Sequence, residues 1–231
     1  MVDHLIQGQR VATPVQIRDA TACSAMFAVS AAAARSVVGD SGLDVAEPIP
    51  GKAICSLAFV RYVDGDLGPY HEFAVSFLVR PPSGVGRVGA FIYWLPVNQS
   101  FTLEAGRSIW GFPKEMAEID LRLSGRYKRC IVRQDGQLVI DMLIKPGIPM
   151  PSSSANSSFD AYSHRDGIIR RTPWTMRPEG VRSRPGGALI RLGQHPAAEM
   201  LRELGLPKTT LFTSAIRRLR MTFADAEEIT T

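Results

Sequence analysis

No apolar run in this chain is long enough to cross a bilayer as a helix. The longest candidate, around residues 23–34, is broken by Ser24 and Ser30 and ends at Arg35, well short of the roughly 20 residues a spanning helix requires. Blocks of like charge are also missing. The net charge of +5 therefore gives only a diffuse attraction for anions, and neither a nucleic-acid partner nor a membrane is expected. Cysteine is scarce: Cys23, Cys55 and Cys130 are too few and too widely spaced for a disulfide framework or a zinc-ligand pattern, which fits a reducing compartment. The opening residues, Met1-Val2-Asp3-His4-Leu5, lack a basic segment followed by an apolar one, so the expected location is cytoplasmic. No glycine-rich phosphate loop or Ser/His/Asp set stands out, and His164 and His195 have no partner at metal-ligand spacing. No metal or cofactor is expected.

With 45% apolar and 21% charged residues over 231 positions, the composition is that of a globular domain able to bury a sizeable core. The patterns are mostly those of strands. Residues 72–80 alternate, with Phe73, Val75, Phe77 and Val79 on one face and Glu72, Ala74, Ser76 and Leu78 on the other. The second face is small and partly polar, as a cavity lining would be. Residues 15–29 read as a strand or a pair of strands, 53–63 as a buried strand and 90–95 as a central one. Residues 117–123 alternate, and the Asp135-Gly136 pair marks a tight hairpin between 126–134 and 137–144. Further strands are expected over 159–171 and 188–192. The stretch 211–223 is compatible with helix or strand.

Helical signals are few. Ser30 stands as an N-cap before 31–38, with Gly39 as the stop. Residues 98–106 read as a turn or two of helix, and 195–204 as a short helix with Pro196 near its first position. The expectation is a single mainly β (α+β) domain over 1–231, an antiparallel barrel or cone with a few short helices. Residues 1–14 read as an N-terminal arm and 146–158 as a long internal loop. The arginines of the last third are spaced as on exposed hairpin faces.

One lysine is placed for chemistry. Gly106-Arg107-Ser108-Ile109-Trp110-Gly111-Phe112-Pro113-Lys114 sets Lys114 after an aromatic-rich turn and before a strand-like alternation. This stretch resembles the active-site signature of the acetoacetate decarboxylase family, in which Gly-Phe-Pro-Lys follows a Gly-Arg-x-x-aromatic lead. Gly68-Pro69-Tyr70-His71-Glu72 is similar to that family's Gly-x-Tyr-x-Glu segment. The likeness covers 15–143 well and 187–206 less specifically. It implies a homo-oligomeric lyase in which Lys114 forms an imine with a small keto acid and Glu72 assists proton transfer. The amine must be neutral to attack, and at pH 7 an ordinary lysine is neutral in only about one molecule in a few thousand. Acetoacetate decarboxylase is itself the standing example of a lysine activated by an apolar pocket or a neighbouring cation. Trp110 and Phe112, beside the apolar strands, are the residues for such a pocket here, with Tyr70 next to Glu72.

The likeness has gaps. The decarboxylases follow the reactive lysine with a second lysine, whereas this chain has Glu115, which would favour the charged amine if the two side chains met. A family arginine falls by spacing on Ala28 and a family acid on Leu57, and Arg18 is a substitute candidate for binding a substrate carboxylate. Strand parity puts Glu115 on the face of Ala117 and Ile119 and Lys114 on the other, unless Pro113 and a bulge break the register. The expected reaction is accordingly either decarboxylation of a β-keto acid other than acetoacetate or aldol condensation and dehydration with a pyruvate-like substrate. The alternative is a non-catalytic small-molecule-binding barrel that retains the lysine.

Overall fold

The computed structural model describes residues 2–39, 41–82, 86–151 and 157–229. The chain opens on a hairpin, β1 (Val2–Ile6) and β2 (Gln9–Thr13), and continues into the long strand β3 (Val15–Ser30) and helix α1 (Ala31–Val38). Next come β4 (Asp44–Val45), β5 (Lys52–Gly65), β6 (Tyr70–Arg80), β7 (Gly89–Val97) and helix α2 (Ser100–Trp110). The middle holds β8 (Lys114–Met116), β9 (Glu118–Arg122), β10 (Lys128–Gln134), β11 (Gln137–Ile144) and β12 (Ile148–Pro149). The last part is β13 (Ser157–Arg165), β14 (Ile168–Pro185), β15 (Ala188–Leu192), α3 (Pro196–Glu203), β16 (Phe212–Phe223) and β17 (Glu227–Ile229). The fold is mainly β with three helices among the described residues, and none of the helices is long and apolar enough to cross a membrane.

Most strands belong to an eleven-stranded sheet whose pairing path runs β4-β6-β5-β3-β16-β14-β13-β7-β8. Because β6 also pairs with β7, the path from β6 through β5, β3, β16, β14 and β13 to β7 returns to its start. A separate four-stranded sheet, β15-β11-β10-β9, packs on one face of the large one. Its Ile119, Cys130, Val132, Ile140 and Met142 share a single buried cluster with Phe27, Phe59, Phe73 and Phe77. The other face of the large sheet carries a second cluster, which includes Ile17, Tyr62, Tyr70, Leu95, Val97, Ile109, Trp110 and Phe112. The period-2 alternation of β6 thus sorts its residues between two environments, with Phe73, Val75, Phe77 and Val79 in the first and Tyr70 in the second.

Local signals act where the sequence places them. The Ser30 side chain accepts from the Ala33 amide and Gly39 caps α1 with a positive φ of 57°. His195 caps α3, with Pro196 at its first position. Asp135 and Gly136 both have positive φ, 49° and 75°, as a two-residue hairpin turn demands. The N-terminal arm is itself a hairpin, with Ile6 and Val11 buried in the second cluster. The ambiguous 211–223 stretch is the strand β16, paired on both sides, with β14 and β3. Helix α2 runs four residues beyond the expected end at Gly106, since Ala105, Gly106, Ile109 and Trp110 form its buried stripe. The centre of the 146–158 loop lies outside the described residues.

The four-stranded sheet is held laterally by Asp141. Arg129 donates to its two carboxylate oxygens at 2.8 and 2.6 Å and Arg191 to one of them at 3.2 Å. The Arg129 hydrogen bonds hold the Asp141 carboxyl below the usual carboxylate range. A carboxyl depressed on folding contributes its stability above the unfolded value, about 4, and loses it as pH falls through the folded value. Asp141→Asn is therefore expected to cost about 1–3 kcal/mol at pH 7, and this difference from the parent should shrink as the pH is taken below about 4. Urea unfolding of both proteins at neutral and acid pH checks this; equal stability at pH 7 contradicts it.

Candidate active site

Helix α2 ends on Gly111, whose left-handed conformation (φ 62°) returns its amide to the Arg107 and Gly106 carbonyls. The Phe112 amide then bonds the Gly106 carbonyl at 3.0 Å and the Lys114 amide the Phe112 carbonyl at 2.8 Å. This tight reversal delivers Lys114 to the first position of β8, which pairs parallel to β7 with Lys114 opposite Leu95. Arg107 Nε donates to the Lys114 carbonyl at 2.8 Å and pins the turn to the helix it leaves. The lysine side chain runs back across α2 at Gly106. A Cβ on Gly106 would stand 2.5 Å from Lys114 Cδ and 2.6 Å from Cε, so only glycine leaves the stem its path.

The amine at the end of that stem is buried; Lys114 is 2% exposed. Its Nζ lies 3.0 Å from Glu72 Oε2, donates to Thr102 Oγ1 at 2.9 Å and sits 4.9 Å from the centre of the Tyr70 ring. Glu72, 7% exposed, accepts at its other oxygen from the Tyr62 hydroxyl at 2.8 Å. Tyr62 and Tyr70 face each other across the β5–β6 hairpin, stacked with centroids 4.1 Å apart. Burial pushes both phenols well above their ordinary value, and the charge of Glu72 adds to this. They stay neutral, and Tyr62 remains a donor to the carboxylate.

The surroundings are apolar. Trp110 and Phe112 stack at 5.6 Å, and Trp110 fastens the helix end by donating to the Ala224 carbonyl at 2.8 Å. Leu95, Val97, Ala105 and Ile109 complete the same cluster. A lone ammonium there would carry a large desolvation cost, and the Glu72 carboxylate with the Thr102 hydroxyl offsets it. The arrangement supplies a nucleophile, a proton acceptor at hydrogen-bond distance and an apolar surround, the parts needed for imine formation with a carbonyl compound.

Residues 7–226 match the family model described as acetoacetate decarboxylase (ADC). The chain belongs to the acetoacetate decarboxylase family.

Solved structures of similar fold include acetoacetate decarboxylase from Legionella pneumophila subsp. pneumophila str. Philadelphia 1, with TM-score 0.75 and 16% identity, covering 95% of this chain and 88% of that one. An acetoacetate decarboxylase-like enzyme from Sphingomonas wittichii RW1 has TM-score 0.68 and 16% identity, covering 96% of each chain. The enduracididine biosynthesis enzyme MppR complexed with pyruvate has TM-score 0.75 and 12% identity, covering 95% of this chain and 91% of the other. MppR is also known with the condensation product of pyruvate and imidazole 4-carboxaldehyde. No curated protein sequence matches the chain.

Within this family member, Lys114, Glu72 and Tyr70 lie together, and Trp110 and Phe112 pack in the cluster behind them. Two candidates lie elsewhere. Glu115 accepts from Trp94 Nε1 at 2.9 Å and from Gln134 Nε2 at 3.0 Å; Trp94 belongs to the first cluster, so Glu115 faces away from the lysine. The Lys114 side chain points the other way, to Tyr70 and Glu72. Arg18 is half exposed, and its guanidinium is engaged by Asp64 at 2.8 and 2.9 Å and by Asp66 at 2.6 Å. Leu57, matched by spacing to a family acid, is fully buried in the first cluster. The β5 residue that reaches Glu72 is Tyr62, four residues beyond Ala58 and paired with Tyr70 on β6.

Thr102, Tyr62 and Gly106 had no assigned role in the sequence reading. Thr102, Ala105, Gly106 and Ile109 make an i, i+3, i+4, i+7 stripe, legible once the helix is carried through to Trp110. Gly106→Ala tests the packing. Alanine favours a helix by about 1 kcal/mol over glycine, so stability should hold while the lysine is displaced. An expected loss on the order of 100-fold in the rate at which a keto acid and borohydride label the protein follows from that displacement; labelling at the parental rate contradicts it.

Proposed function

We propose that this protein is a lyase that forms a Schiff base between Lys114 and a small keto acid. The observation that carries this reading is the buried Nζ of Lys114 at 3.0 Å from Glu72 Oε2. Glu72 takes a proton from Nζ, and the freed electron pair attacks the substrate's carbonyl carbon. The carbonyl oxygen is protonated, water leaves from the carbinolamine, and a protonated imine remains. That cation is an electron sink. It accepts the pair from an adjacent carbon–carboxylate bond as CO2 departs, or the pair from an adjacent carbon–hydrogen bond whose proton passes to a base. Either route gives an enamine. The enamine is reprotonated at carbon in a decarboxylase, or adds to an aldehyde and then loses water in an aldolase-dehydratase.

Each neighbour has a part in this scheme. Tyr62 holds the carboxylate of Glu72 toward the amine, and Thr102 fixes the direction of Nζ. Tyr70 covers the amine with a ring face, which favours the cationic intermediate. The pyruvate complexes of MppR support a pyruvate-like substrate here. Glu115 in place of the second lysine tilts the reading away from acetoacetate itself. The closed path of strand pairings supports a cone-like barrel around the site, and a cytoplasmic homo-oligomer is the expected form. A non-catalytic binder that keeps the lysine is the reading to exclude.

Incubation with pyruvate or acetoacetate followed by borohydride is expected to add the mass of a reduced keto-acid adduct, and Lys114→Ala should abolish it. Glu72→Gln should slow adduct formation by roughly 100- to 10,000-fold. Measuring CO2 release and aldol product in parallel sorts the two reactions. An adduct that persists in Lys114→Ala, or none with the parent protein, overturns the proposal.

A further inference from the structure

The face of the large sheet that carries Glu72 continues well beyond it, and its side chains change character. Cross-strand register sets out the rows. Ala22, Val60 and Glu72 lie side by side on β3, β5 and β6, followed by Ser24, Ala58 and Ala74, then by Met26, Ser56 and Ser76. Ala28 and Ile54 form the next row, level with Leu78 on β6. From Ser24 to Leu78 every one of these side chains is half-buried. The reverse face of the same strands is sealed, with Phe27, Leu57, Phe59, Phe73 and Phe77 at 1% exposure or less.

Water therefore reaches a strip of small apolar and hydroxyl side chains that runs from the reactive amine for about 20 Å, the rise of the six residues from Glu72 to Leu78. An ordinary solvent-facing strand would carry long charged residues there. The first charged side chains on this face after Glu72 are Lys52 and Arg80, both exposed, at the far ends of β5 and β6. Between them and Glu72 the described residues of β3, β5 and β6 offer serine hydroxyls and no counter-charge on this face, so a carboxylate on that strip would be left unpaired.

We infer that the site takes a carbonyl substrate with an extended, uncharged tail, lying on the rows from Ser24 to Ile54 while its carbonyl meets Lys114. The serines accommodate a hydroxyl or a second neutral oxygen along the tail. The inference rests on the imine reading above, and the experiment separates the two.

The concentration dependence of borohydride trapping is measured for pyruvate, 2-oxobutanoate, 2-oxohexanoate and 2-oxooctanoate, which carry one charge each. The half-saturating concentration is expected to fall roughly threefold to fourfold for each added methylene until the strip is filled. The dianion 2-oxoglutarate is expected to be at least about tenfold weaker than 2-oxopentanoate, its equal in length. Ala58→Leu should flatten the chain-length series, and Ser56→Leu serves the same purpose should the first variant fold poorly. A flat series in the parent protein, or a preference for the dianion, overturns the tail assignment while leaving the imine. Absence of trapping with pyruvate and every longer acid overturns both.

Discussion

A lysine ammonium and a glutamate carboxylate taken out of water together are the constraint on which this structure depends. Separately, each would cost several kcal/mol in the apolar interior. At 3.0 Å, with Thr102 donated to by the amine and Tyr62 donating to the carboxylate, the pair is satisfied. The geometry follows from that need. Helix α2 must come close enough to bring Thr102 to Nζ, and the glycine at 106 allows it. Strand β8 must enter parallel to β7 at Leu95 so that the stem points to the face of Glu72. The aromatic end of α2 then seals the site through Trp110 and Phe112.

The same pair gives a structural meaning to the two faces of the large sheet. One face is filled by aromatic side chains and covered by the four-stranded sheet, which gives the strands a rigid backing. The other face holds the amine at one end and small side chains beyond it. Packing of the large residues on the reverse side is enough to fix the strands' position, which lets the side chains beyond the amine stay small. Glu115 belongs to the backing, where Trp94 and Gln134 hold it. Facing away from the amine, it puts no acid beside Lys114.

Sequence reading reached some of this and stopped for physical reasons. Lys114 and Glu72 were legible because a short motif and a strand entry mark them, and the alternation of β6 assigned its two faces correctly. The hairpin at Asp135-Gly136, the cap at Ser30 and the start of α3 at Pro196 were legible because each depends only on neighbouring residues. Thr102 and Tyr62 were not, since their proximity to Lys114 and Glu72 comes from pairing across the hairpin and from the docking of α2. Leu57 was matched by counting along the chain, but the alternation of β5 turns it into the opposite cluster. Arg18 failed as a pocket candidate because Asp64 and Asp66, distant by tens of residues, claim its guanidinium across the sheet.

The proposed covalent bond between Lys114 Nζ and a carbonyl carbon can itself be observed. Protein labelled with 15N at the lysine side chains, mixed with pyruvate labelled with 13C at its carbonyl, should show a one-bond 13C–15N coupling that is absent in Lys114→Arg. No coupling in the parent protein, or the same coupling in the variant, would contradict the account.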